Sequence, residues 1–117
     1  MGEVAVERDR GLDDLVAKIV ARANPVQVWL FGSRARGDHD EDSDYDIMIV
    51  VDDNWPDGKA NAIEAYKLVE GRKIPVDALM IRQSIFRRDK GVIGTLSDVV
   101  WAEGRLLHDR DTLRSVA

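Results

Sequence analysis

Two strand-like runs, residues 26–31 and 44–51, are joined by a segment that dictates what can surround them. The first run is rich in β-branched and aromatic residues and ends in Gly32-Ser33. The second is entered through Asp44-Tyr45-Asp46, with ten residues between Ser33 and Asp44. Glycine lets backbone approach an anion closely, and a following helical turn aims N–H groups at it. Asp44 and Asp46 lie two residues apart, so on a strand their side chains share a face. Phosphate donors beside paired carboxylates suit a site where Mg²⁺ bridges protein oxygens and a nucleoside triphosphate. A P-loop is excluded as the source of the signal, because no G-x-x-x-x-G-K-[ST] is present.

Charge sharpens this reading. The chain carries a net −5, yet residues 38–57 hold nine Asp and Glu and no Lys or Arg, while the remainder has 17 basic against 13 acidic residues. The acidity is therefore local. Asp38, Asp40, Glu41, Asp42, Asp52, Asp53 and Asp57 read as solvated loop acids. Asp44 and Asp46 enter a strand beside the Gly-Ser turn and read as cation ligands.

At 117 residues and 44% hydrophobic, the chain supports one domain and one core, with the core expected over residues 12–108. No apolar stretch approaches the ~18 residues of a membrane span, and residues 1–8 lack the apolar region of a signal peptide. Zero cysteines exclude a disulfide framework and a thiolate metal site. Those features agree with a cytoplasmic setting.

Leu12, Leu15, Val16, Ile19, Val20 and Ala23 recur with helical spacing, and Asn24-Pro25 ends that helix. A turn, with a single helical turn, is expected over residues 32–37. Ala62, Ile63, Tyr66 and Val69 predict a second helix closed by Gly71. Residues 76–81 read as a third strand, opened by Pro75. Ser84 is placed to cap a short helix over residues 85–89. Ile93, Leu96, Val99 and Val100 mark a last helix ended by Gly104. Leu106-Leu107 adds an edge strand, and residues 109–117 are expected to fray. The order predicts an α+β fold, a small mixed sheet with helices packed mainly on one face.

Gly32-Ser33, ten residues, then Asp44-x-Asp46 resembles the signature of nucleotidyltransferases related to DNA polymerase β. The short chain is similar to their minimal nucleotidyltransferase domains, found as antitoxins beside HEPN-domain toxins. The resemblance implies the polymerase β-like fold, two Mg²⁺ ions, ATP as substrate and AMP transfer to a hydroxyl of a HEPN RNase, with a hetero-oligomer as the working assembly. It also implies a third metal ligand on a later strand. Asp77 is the candidate, set in the apolar run at residues 74–81, where an unpaired charge is costly. An exposed edge position, or a pairing with Arg72, is the structural alternative. In the implied roles, Asp44 and Asp46 hold the two ions, Asp77 joins the one that activates the incoming hydroxyl, and Gly32 and Ser33 cradle the β- and γ-phosphates.

Arg34 and Arg36 fit either a clamp on the triphosphate or neutralisation of the acidic loop. Arg82, Arg87, Arg88 and Lys90 form a basic cluster that reads as a solvated helix face, with contact to a partner or a polyanion as the alternative. His39 and His108 lack metal-ligand spacing. Trp29, Trp55 and Trp101 show no basic–aromatic interleaving, so direct nucleic-acid binding is not expected, and Tyr45 reads as packing. Two other functions stay open: a binding module that neutralises its partner by occlusion, and nucleotidylation of a small molecule.

Overall fold

The computed structural model describes residues 2–111, with side chains described from residue 10 onward. Helix α1 (Gly2–Ala23) buries Leu12, Leu15 and Ile19 on one stripe, as the spacing predicts. It ends where Asn24 turns into the left-handed region (φ 43) while its N–H reaches the Val20 carbonyl, 2.9 Å away. Asparagine tolerates that conformation, and Pro25 behind it forbids another helical turn.

Strands β1 (Gln27–Phe31), β2 (Tyr45–Val51), β3 (Val76–Arg82) and β4 (Arg105–Asp109) form one mixed sheet in the order β3-β2-β1-β4. β1 is antiparallel to β2 and β4, whereas β2 and β3 run parallel. A parallel pair needs a crossover, and the chain between β2 and β3 supplies it with α3 (Ala62–Leu68). Alternation then sorts the core into two. Val28, Leu30, Ile47, Ile49, Val51 and Ala78 face α1 and α3. Trp29, Phe31, Met48 and Val50 face Phe86 of α4 (Gln83–Asp89) and Val100 of α5 (Leu96–Glu103).

The α+β class and the mixed sheet are as expected, but helices cover both faces rather than mainly one. The reason lies in β1 and β2, whose two faces are both apolar and both need cover.

Three local expectations shift. On α3 the buried residue is Ala65, with Val69 buried at its C-cap, while Ile63 is 72% exposed and Tyr66 lies on the flank. Asn61 caps that helix, its side chain accepting from the Glu64 N–H at 2.9 Å. Ser84 does not cap α4; Arg82 holds the cap position, and the Ser84 N–H donates to Asp53 Oδ1 at 2.8 Å. Ile93 precedes α5, which starts after Thr95, whose hydroxyl accepts from the Asp98 N–H. Gly104 ends α5 without a positive φ. Glycine is required there because a Cβ would overlap the Val100 carbonyl.

Residues 109–111 do not fray. The Arg110 N–H bonds the Val26 carbonyl, and its guanidinium grips both oxygens of Asp52 at 2.7 and 2.9 Å. Residues 112–117, in the same expectation, lie outside the described residues. Among the described residues no helix is long and apolar enough to cross a membrane.

Candidate active site

Because β1 and β2 are antiparallel and β3 follows β2, the end of β1 and the starts of β2 and β3 meet at one edge of the sheet. The register places Phe31, Asp46 and Asp77 in a single row across three strands. Paired neighbours share a face and sit roughly 5 Å apart, so Asp46 and Asp77 stand side by side. Asp44 lies just outside β2, two residues before Asp46. Burial pushes the Asp46 carboxyl above its ordinary value, and the charges of Asp77 and Asp44 push it further; Arg36 opposes them. The other two acids predicted from sequence thus both act on Asp46.

Gly32 is the residue this corner demands. Its φ is 72, and a Cβ would overlap Asp46 Oδ2. Ser33 starts the single-turn helix α2 (Ser33–Arg36), which closes on Gly37 at φ 89. Helix geometry leaves the N–H groups of Ser33 and Arg34 without acceptors inside that turn, and the Gly32 carbonyl accepts from Ala35 and Arg36.

Arg34 does not face the site as a phosphate clamp. It is 7% exposed. Its Nε donates to the Ser43 carbonyl at 2.9 Å, and its Nη2 to the carbonyls of Asp40 and Glu41 at 3.4 Å. The guanidinium stacks on the Tyr45 ring, 4.1 Å from its centroid. Arg34 is therefore bound beneath the acidic loop and shapes the approach to Asp44, and the buried Tyr45 packs as expected. Arg36 is exposed and remains beside the acids, paired with Asp38 at 3.2 Å and with Glu103 of α5 at 3.5 Å.

Asp77 sits on an edge strand and is exposed, so the premise that its charge is trapped in a buried strand fails. Its partner is not Arg72. Tyr66 Oη donates to Asp77 Oδ1 at 2.8 Å, and Arg72 lies over the Tyr66 ring, 5.7 Å from its centroid. The bond to Asp77 holds the Tyr66 phenol above its ordinary value. Neither Tyr66 nor Glu103 stands out in the sequence. Tyr66 reads there as one apolar mark on a helix face, and only the crossover brings it to β3.

Among the described residues no group of three His, Asp or Glu side chains is gathered so as to hold a metal ion. The donor set nonetheless suits a hard cation. It consists of carboxylate oxygens, those of Asp77 and Asp44 acting on Asp46, and the missing Cβ of Gly32 lets the Asp46 carboxylate lie directly against the turn.

The basic cluster is mostly occupied elsewhere. Arg82 donates to the carbonyls of Asp53, Trp55 and Pro56, Arg88 pairs with Asp89 at 2.8 Å, and Lys90 lies over Trp101. Trp29 packs against Phe86 and Trp101 in the core, and the Trp55 indole N–H bonds the Lys59 carbonyl. Burial lowers the His108 pKa.

The same architecture occurs in solved structures. A provisionally assigned nucleotidyltransferase from Sulfolobus solfataricus superposes with a TM-score of 0.57 at 23% identity, covering 87% of this chain and 80% of that one. A toxin–antitoxin structure with AMP-PNP superposes with a TM-score of 0.57 at 23% identity, covering 89% and 78%. At that identity these matches speak to the fold. No curated protein matches. The family profile of the nucleotidyltransferase domain matches residues 13–102, a stretch that includes the glycine turn and all three acids, and the chain therefore belongs to the nucleotidyltransferase domain family.

Proposed function

We propose that this nucleotidyltransferase moves AMP from ATP to a hydroxyl of a partner protein, with a HEPN-domain toxin as that partner and the chain as its antitoxin. The observation that carries the reading is the row of Asp46 and Asp77 beside Asp44 and the glycine corner. The neighbouring toxin–antitoxin structure with AMP-PNP supports an adenine nucleotide and a protein partner. Resemblance to minimal nucleotidyltransferase domains supplies the HEPN identity, and a sequence with no cysteine agrees with a cytoplasmic setting.

In this reading Asp44, Asp46 and Asp77 would hold two Mg²⁺ ions. When bound, these supply positive charge to the entering and leaving oxygens of the α-phosphorus. The chain does the rest. Gly32 and Ser33 present backbone N–H groups to the β- and γ-phosphates and fix the leaving pyrophosphate in line. Arg36, held by Asp38 and Glu103, offers an exposed guanidinium to the same phosphates. Arg34 keeps the loop of residues 40–43 in place, and so the position of Asp44. Asp77 orients the acceptor hydroxyl and takes its proton.

Incubation of the chain and its partner with ATP and Mg²⁺, followed by intact mass measurement, tests this. The partner should gain AMP, and Asp46→Asn should abolish the gain. A tight complex whose partner keeps its mass would establish occlusion instead.

A further inference from the structure

One hydroxyl of the chain already touches a candidate catalytic carboxylate. Tyr66 Oη lies 2.8 Å from Asp77 Oδ1, and Asp77 is the register neighbour of Asp46. Core packing does not account for this tyrosine, since α3 is anchored by Ala65 and Val69 while Tyr66 is 38% exposed. Its ring lies beneath the Arg72 guanidinium, which braces the phenol at the open edge of β3. The other tyrosine, Tyr45, is buried under Arg34 and cannot serve as an acceptor.

We propose that Tyr66 is a self-modification site, its phenol accepting a nucleoside monophosphate from the triphosphate bound at Asp44 and Asp46. This rests on the nucleotidyltransfer reading above. The acceptor position next to Asp77 is where an incoming hydroxyl must sit, and the fold puts a hydroxyl of its own there.

The step needs one co-reactant, a nucleoside triphosphate. Tyr66 Oη forms a bond to the α-phosphorus, and the bond from that phosphorus to the pyrophosphate oxygen breaks. Pyrophosphate leaves with the electron pair. The phenolic proton passes along the existing hydrogen bond to Asp77 and from there to solvent. The product ester replaces the hydroxyl that Asp77 holds, so each chain can be modified once. A modified chain carries a nucleotide across its own acceptor position and is closed to a partner's hydroxyl. Self-modification is then a brake on the transfer reaction, set by whether a partner arrives first.

The test uses the full chain alone with ATP and Mg²⁺, followed by intact mass and peptide mapping, with calorimetry of Mg·ATP binding alongside. The expected result is a gain of one AMP per chain on the peptide that carries Tyr66. Tyr66→Phe should lose that gain entirely while binding Mg·ATP as tightly and melting within about 2 °C of the parent. Asp46→Asn should lose it as well. A chain that binds Mg·ATP and gains no mass would overturn the inference and leave the parent reading standing. A gain that persists in Tyr66→Phe would do the same. A chain that does not bind Mg·ATP at all would overturn both.

Discussion

β2 is flanked by acidic loops at both ends, with one arginine set against the first and two against the second. Before the strand come Asp40, Glu41, Asp42 and Asp44, with Arg34 beneath; after it come Asp52, Asp53 and Asp57, with Arg82 and Arg110. At the far end the carboxylates find partners. Asp52 is held by both Nη groups of Arg110, Asp53 accepts the Ser84 N–H, which lowers its pKa, and Asp57 lies 3.9 Å from Arg82. At the near end Arg34 goes to carbonyl oxygens instead, and Asp46 is pushed up by burial and, beyond that, by the charges of Asp77 and Asp44. A cluster of acids in a sequence is therefore not in itself a cation site. What separates the two ends is that Asp52 and Asp53 meet cationic and N–H donors at the far end, whereas at the near end Asp46 stands beside Asp77 and Asp44.

Asp46→Asn should break the contrast most severely. Transfer should fall by orders of magnitude while the fold persists, as activity and melting curves on the same sample would show. Stability supplies a second check. The raised pKa means the folded form holds the Asp46 proton more tightly than the unfolded chain does. The resulting cost is absent below the ordinary value of 3.8 and complete above the folded pKa. Without metal, Asp46→Asn should raise the melting temperature at pH 7 by about 1–3 °C, and the gain should vanish near pH 3. A variant that melts lower at pH 7 would mark Asp46 as structural.

Arg34→Ala should come next. Losing a buried fork that serves three carbonyls and stacks on Tyr45 should cost about 2–3 kcal/mol in denaturant unfolding and weaken Mg·ATP binding with it. Arg34→Lys keeps the charge but not the planar fork, so binding should recover only in part. Full binding in Arg34→Ala would show that the loop does not position Asp44.

Arg110→Ala is the matching change at the far end. Its bidentate bond to the half-exposed Asp52 is screened by solvent, so about 1 kcal/mol should be lost, with Mg·ATP binding unchanged. A large fall in binding would mean that the two ends are coupled through β2.

Much of this arrangement is legible in the residues. The helical stripe at Leu12, Leu15 and Ile19, the Gly32-Ser33 turn and the placing of Asp46 on a strand follow from local periodicity and spacing, whereas Asp44, read as the first residue of that strand, lies just before it. What escapes is whatever depends on long-range placement. Arg34 and Arg36 are two apart in sequence and look alike, yet one is buried under the loop and the other exposed, because a four-residue helix turns them to different sides. The edge position of β3 depends on sheet order, which no stretch of sequence displays, so Asp77 reads as a buried charge although it is exposed. Asp53 reads as a solvated acid until α4 folds back and places the Ser84 N–H against it.

The central claim is that the near end of β2 is a cation site for a triphosphate, and calorimetry of ATP with the unmodified chain tests it most directly. Three carboxylates presented to a polyanion should prevent binding in a chelator, and Mg²⁺ should restore it by at least about tenfold in affinity. Arg110→Ala should repeat that result and Asp46→Asn should lose it. Equal affinity for ATP with and without Mg²⁺ would contradict the account.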